Sequence, residues 1–239
     1  MIGPVGDTIM PGASSRAMAL LLAAALLGGC NIVVSKVPMF TAADSAGAPA
    51  LRPGVWLAEK ADCHFDEASP LAQWPDCADP LVITPTEVHG VGSKGQKPAP
   101  YLVAAGDPLV LQSQIDVDVS AGVDVSASGD AKATASASGE MKGPPPYAYL
   151  AAHPIAFDAK GRVVRMEQWP VMCGPPPPEP KPGQPLDKAR YVTLRPLPGL
   201  RIEGQVCTPD DNAAVLNAAR QSRTYGPIQT SHWVRDQAP

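Results

Sequence analysis

The sequence predicts an all-β fold, mainly an antiparallel sheet closed as a barrel or sandwich, with one C-terminal α-helix. Three observations lead to this prediction. Proline and glycine account for 29 and 21 of the 239 residues, which favours short strands joined by turns. Apolar and polar residues alternate in several stretches, as expected of strands with one buried face. A single helix signature follows Thr208.

The first predicted strands lie on either side of a long loop. A strand at 54–58 opens the folded part, and the loop that follows is rich in aspartate and proline. The second strand is 81–84, which 87–91 prolongs beyond Pro85. Two more strands, at 101–104 and 109–112, are separated by Gly106-Asp107-Pro108, whose residues are typical of a turn.

The clearest hairpin is predicted at 147–157 and 162–169. Its turn is Asp158-Ala159-Lys160-Gly161, in which the aspartate begins the turn and the glycine ends it. We expect these two strands to pair in the main sheet.

A long alternating segment, 115–141, carries apolar or small residues at odd positions and mostly polar residues at even positions. As one strand it would be about 90 Å long, so we predict a hairpin arm that turns at Ser128-Gly129-Asp130. A low-complexity flexible loop is the alternative. Further along, the proline-rich segment 174–185 is predicted to be extended polyproline, which serves either as a surface spacer or as a docking segment for a partner.

The C-terminal part combines a hairpin with the helix. Strands at 190–194 and 200–206 are predicted to pair around a Pro-Leu-Pro-Gly turn. The helix is predicted at 209–223, with the Thr208 hydroxyl as its N-cap and Pro209 at its first position. Its core-facing residues are Val215, Leu216, Ala218 and Ala219. Trp233 lies in a final extended segment that returns to the sheet.

Four cysteines, Cys63, Cys77, Cys173 and Cys207, are predicted to form two disulfides. An even number of cysteines in an exported chain favours disulfides, and three pairings are possible. We favour Cys63 with Cys77 and Cys173 with Cys207, because each of these pairs closes a local loop. No C-x-x-C spacing occurs, so no metal site is predicted.

The N-terminus carries a candidate lipid-attachment site. Residues 17–27 are an unbroken run of Ala, Leu and Met, too short to span a bilayer but typical of a signal-peptide core, and Leu27-Gly28-Gly29-Cys30 follows. This motif resembles the lipobox of bacterial lipoproteins. The resemblance implies a signal peptide at 1–29, diacylation of the Cys30 thiol, acylation of the new amino terminus with a fatty acid such as palmitate, and a lipid anchor. The alternative is an ordinary secretory signal that leaves Cys30 as a free thiol.

The same resemblance predicts where the protein resides. Position 31 is asparagine rather than the aspartate that retains such proteins in the inner membrane, so we expect the outer membrane, with the domain facing the periplasm. Residues 30–52 show no sustained period and are predicted to be a flexible tether that holds the domain about 25 Å from the lipid. Residues 53–239 are predicted to form a single β-rich domain.

The composition and motifs argue against several classes of function. The net charge is −4 without a basic patch, so nucleic acid is not an expected partner. The four histidines are scattered, and no G-x-S-x-G motif occurs. We therefore predict no catalytic residue, no bound metal and no cofactor. The expected partners are the membrane, through the lipid anchor, and another envelope protein.

One further resemblance concerns the start of the domain. Gly54-Val55-Trp56 and the order of elements, strands followed by a late helix, are similar to lipocalins, some of which are bacterial lipoproteins. This resemblance implies a carrier of a small apolar ligand. Our leading prediction is a non-enzymatic binding or structural role, with the lipocalin-like carrier and an enzyme without a recognisable motif as alternatives. A large apolar cavity would favour the carrier, whereas a cleft that gathers His, Asp and Glu would favour the enzyme.

Overall fold

The computed structural model of the chain describes residues 32–91, 98–114, 146–175, 195–203 and 206–236. Several predicted features lie outside these residues: the signal peptide, Cys30, the arm at 115–141, the strand at 190–194 and most of the proline-rich segment.

The described strands are β1 (Val34–Ser35), β2 (Gly54–Ala58), β3 (Leu81–Ile83), β4 (Glu87–Gly90), β5 (Ala99–Ala104), β6 (Leu109–Gln114), β7 (Tyr147–Phe157), β8 (Val163–Pro170), β9 (Leu200–Glu203), β10 (Val206–Pro209) and β11 (Gln229–Arg235). The α-helix α1 is Asn212–Ser222.

Eight of these strands form a closed antiparallel barrel. Strands β2 to β8 each pair with the next along the chain, and β11 closes the circle by pairing with both β8 and β2. The predicted all-β fold with one helix near the C-terminus is therefore confirmed. Closure of the barrel pairs every wall strand on both sides, which removes the exposed edges of an open sheet.

An up-and-down barrel has two distinct ends. Strands β2, β4, β6 and β8 finish at one end, which we call the mouth end. The short turns 84–86, 105–108 and 158–162 lie at the other end, which we call the base. Alternate residues of each strand face the barrel axis. The buried cluster inside the barrel consists of Leu51, Trp56, Ile83, Leu109, Ala152, Val163 and Met166.

The base of the barrel is closed by two tryptophans and an arginine. The Trp56 indole donates a hydrogen bond to the Arg52 carbonyl (2.8 Å), and the Trp233 indole donates to the Pro53 carbonyl (2.9 Å). The Arg52 guanidinium lies 3.3 Å from the centre of the Trp233 ring, a cation–π contact. Gly54 lies in the same corner with φ of 135°, and a Cβ there would be 2.3 Å from the Arg235 carbonyl oxygen. The glycine therefore lets β11 approach β2 closely enough to close the barrel.

The turn between β3 and β4 differs from the predicted continuous strand. The chain reverses after Ile83, so that Ile83 pairs with Val88 and Leu81 with Gly90. The Thr84 hydroxyl accepts a hydrogen bond from the Glu87 amide (2.9 Å) within this turn. Pro85 has no amide hydrogen to donate, which favours a turn over a continued ladder.

A second core covers the outer wall of β6, β7 and β8. Helix α1 packs there through Ala214, Val215, Ala218 and Ala219, all buried. The Trp169 indole donates a hydrogen bond to the Ala219 carbonyl (2.8 Å) and so attaches the helix to β8. Among the residues described, no helix has the length and apolarity needed to span a membrane.

The helix begins later than the sequence predicts. Asp211 is its N-cap, and its side chain accepts a hydrogen bond from the Ala214 amide (2.8 Å). Thr208 and Pro209, the predicted cap and first turn, belong to β10, which pairs with β9. The predicted strand at 200–206 is therefore shorter than expected: Leu200–Glu203 form β9, and Val206 already belongs to β10, which pairs with β9.

The N-terminal segment also differs from the prediction. Residues 32–52 were expected to form a flexible tether, but they pack along the barrel from the mouth end to the base. Val33, Phe40 and Leu51 are buried, and β1 pairs with the start of β7. The buried Gln112 side chain fixes the middle of the segment: its oxygen accepts from the Met39 and Phe40 amides (2.7 and 2.9 Å), and its nitrogen donates to the Phe40 carbonyl (3.0 Å).

Both expected disulfides are present, Cys63–Cys77 and Cys173–Cys207. The first lies within the loop 59–80, which folds back over the outer wall of β2 and β11 and which we call the flap. Val55, Leu57, Trp74 and Ala78 form a third buried cluster under the flap. The second disulfide lies in the outer core beside α1, where both of its cysteines are fully buried.

Candidate functional site

The mouth end of the barrel exposes an apolar lining. Leu81, Val88 and Leu111 face the barrel interior there and are only partly buried. Leu150, opposite Leu111 in the register of β6 and β7, is 40% exposed. Trp56 lies deeper in the barrel and is buried. Among the described residues, the barrel is therefore filled toward its base, and an apolar lining, which we call the mouth, is partly exposed toward the other end.

Small residues surround the mouth. Ala58, Gly90, Ser113 and Ala148 occupy the inward positions nearest to the mouth end of their strands, and none of them is long enough to cover the leucines.

Tyr101 is one of the polar residues that face the barrel interior. Its ring packs against the interior cluster, and its hydroxyl donates a hydrogen bond to the Thr84 carbonyl (2.9 Å). Burial raises the pKa of Tyr101 to about 12, so the phenol stays neutral in the physiological range. Two further neutral polar side chains, Gln168 and Ser231, are hydrogen-bonded to each other (3.1 Å) on the inward face of β8 and β11.

A separate pocket of about 450 Å³ lies between the flap and the rim of the barrel. Leu57, Phe65 and Ala78 contribute apolar walls, and Glu59, Glu67 and His232 contribute polar ones. The lining includes Cys63, which is held in its disulfide, and the described lining residues include no hydroxyl group and no free thiol. The pocket therefore offers acid–base groups, to which Lys60 adds an amine.

The polar groups of this pocket form a chain of close side-chain contacts. His232 Nε2 lies 3.1 Å from a Glu67 carboxylate oxygen, and His232 Nδ1 lies 3.7 Å from a Glu59 oxygen. Glu59 in turn accepts two hydrogen bonds from Arg165, at 2.9 and 3.1 Å. Hydrogen bonding to Arg165 holds the pKa of the Glu59 carboxyl below its ordinary value. These contacts join the flap, through Glu67, to strands β2, β8 and β11.

The Glu67 and Glu59 carboxylates lie beside opposite nitrogens of the His232 ring. The ligand atoms of the three side chains therefore do not point to one common position. Accordingly, the described residues contain no group of three or more His, Cys, Asp or Glu that could hold a metal ion. The flap is held by a second contact as well, since the Arg235 guanidinium donates to the Glu67 and Ser69 carbonyls (2.9 and 2.6 Å). These contacts give the cluster a structural role in positioning the flap.

The base end carries a different exposed apolar patch. Ile155 and Phe157 are 43% and 53% exposed near the end of β7. A shallow pocket of about 320 Å³ adjoins Phe157 and is lined also by Pro49 and Pro108. This patch lies at the opposite end of the barrel from Leu150.

The predicted site residues are distributed over the molecule rather than gathered. Cys63 and Cys77 hold the flap together, and Cys173 and Cys207 hold the outer core together, while Cys30 lies outside the described residues. The residues of the mouth were not singled out from the sequence. Their alternation could indicate an inward face, but only the strand register shows which members of that face reach the open end.

Comparison of the chain with protein-family models, with curated proteins and with solved structures gives no match.

Proposed function

We propose that this chain is a lipid-anchored protein of the outer membrane whose barrel binds a small apolar group at its mouth, without catalysing a reaction. The observation that carries the proposal is the exposed apolar lining at one end of a barrel that is closed at the other. The eight-stranded antiparallel barrel is consistent with a lipocalin-like fold.

Exposed leucine and valine side chains at the mouth favour an apolar ligand. Burying apolar surface contributes about 25 cal/mol per Å², so covering roughly 100 Å² of the mouth would contribute about 2.5 kcal/mol. An equal area of ligand is buried at the same time. A charged ligand group would remain outside, because the interior near the mouth offers it no counter-charge.

The pocket under the flap supports the non-enzymatic side of the proposal. It gathers His232 with two glutamates, as a cleft for acid–base chemistry would. Each of these groups is already paired with another side chain of the protein, and together they hold the flap. We therefore assign the cluster to structure.

Binding at the mouth is tested by titration with N-phenyl-1-naphthylamine, whose fluorescence rises in apolar surroundings. We expect saturable binding to the protein. Leu150→Glu should weaken it at least tenfold, about 1.4 kcal/mol, because a carboxylate would then lie in the apolar mouth. Ile155→Glu is the matched control, on the same strand and equally exposed but at the base, and should change the Kd less than twofold. Equal effects of the two substitutions, or no saturable binding, would contradict the proposal.

The lipid anchor is tested by metabolic labelling with an alkyne analogue of palmitate. Cys30→Ser should lose the label and keep its signal peptide, because only a thiol at this position accepts the diacylglyceryl group. Each buried CH₂ of the acyl chains contributes about 0.8 kcal/mol to membrane binding, so the variant should also leave the detergent phase. A Cys63→Ser/Cys77→Ser variant should keep the label. Labelling of Cys30→Ser would show that the anchor is elsewhere.

A further inference from the structure

The chain enters the folded domain at the mouth end of the barrel. Ile32 forms a bridge with Met172, two residues beyond the end of β8, and the Val33 amide donates a hydrogen bond to the Val171 carbonyl (2.8 Å). Next, β1 pairs with Tyr147 and Ala148, the residues that begin β7. The segment then runs to the base, where Leu51 forms a bridge with Val163.

This route leaves almost no free chain between the anchor and the barrel. Only Asn31 separates Cys30 from Ile32 in the sequence, so the Cα atoms of Cys30 and Ile32 are at most about 7 Å apart. Strand β7 has 11 residues and is about 36 Å long at a rise of 3.3 Å per residue. A lipid attached to Cys30 can therefore be near the mouth end but cannot be near the base.

The surface of the mouth end has the apolar groups that a bilayer surface would accept. The described residues include five exposed large apolar side chains, and three of them are at this end: Val37 follows β1, Leu150 lines the mouth, and Ile228 immediately precedes β11. Exposed Lys36 beside Val37 adds a positive charge, which suits anionic headgroups. The remaining two, Ile155 and Phe157, are at the base.

We infer that the mouth end of the barrel lies against the bilayer, so that the mouth opens toward the membrane and the ligand is the acyl chain of a membrane lipid. The inference rests on the proposed anchor at Cys30. In this orientation an acyl chain reaches Leu111 and Leu150 from the lipid phase with little exposure to water. The same orientation turns Phe157 away from the membrane.

The orientation is tested with the full chain, lipidated in cells and reconstituted into phosphatidylethanolamine/phosphatidylglycerol vesicles. Val37→Cys and Phe157→Cys are labelled with the same fluorophore, at sites that are 60% and 53% exposed, and quenched by spin-labelled lipid. We expect quenching at position 37 to be at least threefold stronger than at position 157. Equal quenching, or stronger quenching at position 157, would overturn the inference.

A linker variant provides the control for the short connection. Fifteen Gly/Ser residues inserted between Asn31 and Ile32 should reduce the quenching at position 37 toward that at position 157, because the barrel is then free to leave the surface. Unchanged quenching would mean that the short connection does not set the orientation. Absence of palmitate label would overturn the anchor itself, and with it the inference, whereas label without a difference in quenching would overturn the orientation alone. Naphthylamine binding tests the mouth independently of both.

Discussion

Gly54→Ala is expected to destabilise the barrel by about 2–5 kcal/mol. The added Cβ would lie 2.3 Å from the Arg235 carbonyl oxygen and 2.5 Å from the Trp233 indole nitrogen, so β11 would have to move away from β2. Overpacking of this kind costs roughly 1–3 kcal/mol, and a positive φ in a residue with a side chain adds roughly 1–2 kcal/mol. Urea unfolding followed by tryptophan fluorescence measures the loss.

Gly47→Ala is the matched control for Gly54→Ala. Gly47 also has a positive φ, 84°, but a Cβ there would have no heavy atom within 4 Å. This variant should lose only the backbone contribution, roughly 1–2 kcal/mol. If the two variants lose the same stability, close approach of β11 is not the reason for the glycine at position 54.

Cys173→Ala/Cys207→Ala is expected to lower the free energy of unfolding by about 4 kcal/mol. The disulfide joins positions 34 residues apart, and in the chain-entropy model the stabilisation grows with the length of the closed loop. It also lies in the core that holds α1 against β8. Because small domains are stable by only about 5–15 kcal/mol, this loss is a large fraction of the total and should lower the urea midpoint clearly.

Cys63→Ala/Cys77→Ala provides the comparison. Its positions are 14 residues apart, and the chain-entropy model gives about 3 kcal/mol. Its sulfurs lie in the flap, outside the barrel. We therefore expect a smaller shift in the urea midpoint than for the Cys173/Cys207 variant. The reverse order would mean that the flap contributes more to cooperative stability than the outer core does.

Strands with a complete alternating pattern and a distinctive turn were predictable from the sequence. The hairpin around Asp158 and Gly161 is the clearest case, since the turn residues and both strands agree. The start of the helix was not predictable in the same way. Thr208 and Pro209 have the composition of a helix N-terminus, but pairing with β9 places them in a strand, and Asp211 caps the helix instead. Tertiary pairing outweighed local preference at these residues.

The packing of residues 32–52 against the barrel could not be predicted from the sequence for a different reason. Val33, Phe40 and Leu51 are too far apart and too irregularly spaced to show a period; the first two pack in the outer core and Leu51 in the barrel interior. The pocket under the flap could not be predicted either, because His232 and Glu67 are 165 residues apart in the sequence. The apolar residues of the mouth could be assigned to one face by alternation, but the open end of that face depends on the register around the whole barrel.

The closure of the barrel by β11 has a consequence for biosynthesis. Trp56 pairs with Trp233, so the first and last wall strands are neighbours in space although they are made at opposite ends of synthesis. Until β11 emerges, β2 and β8 each present an unpaired edge able to join with another chain. Contacts this distant in sequence also slow folding. The nascent protein is thus open to aggregation until its final strand is complete, and a holdase that covers these two edges would raise the yield of folded protein.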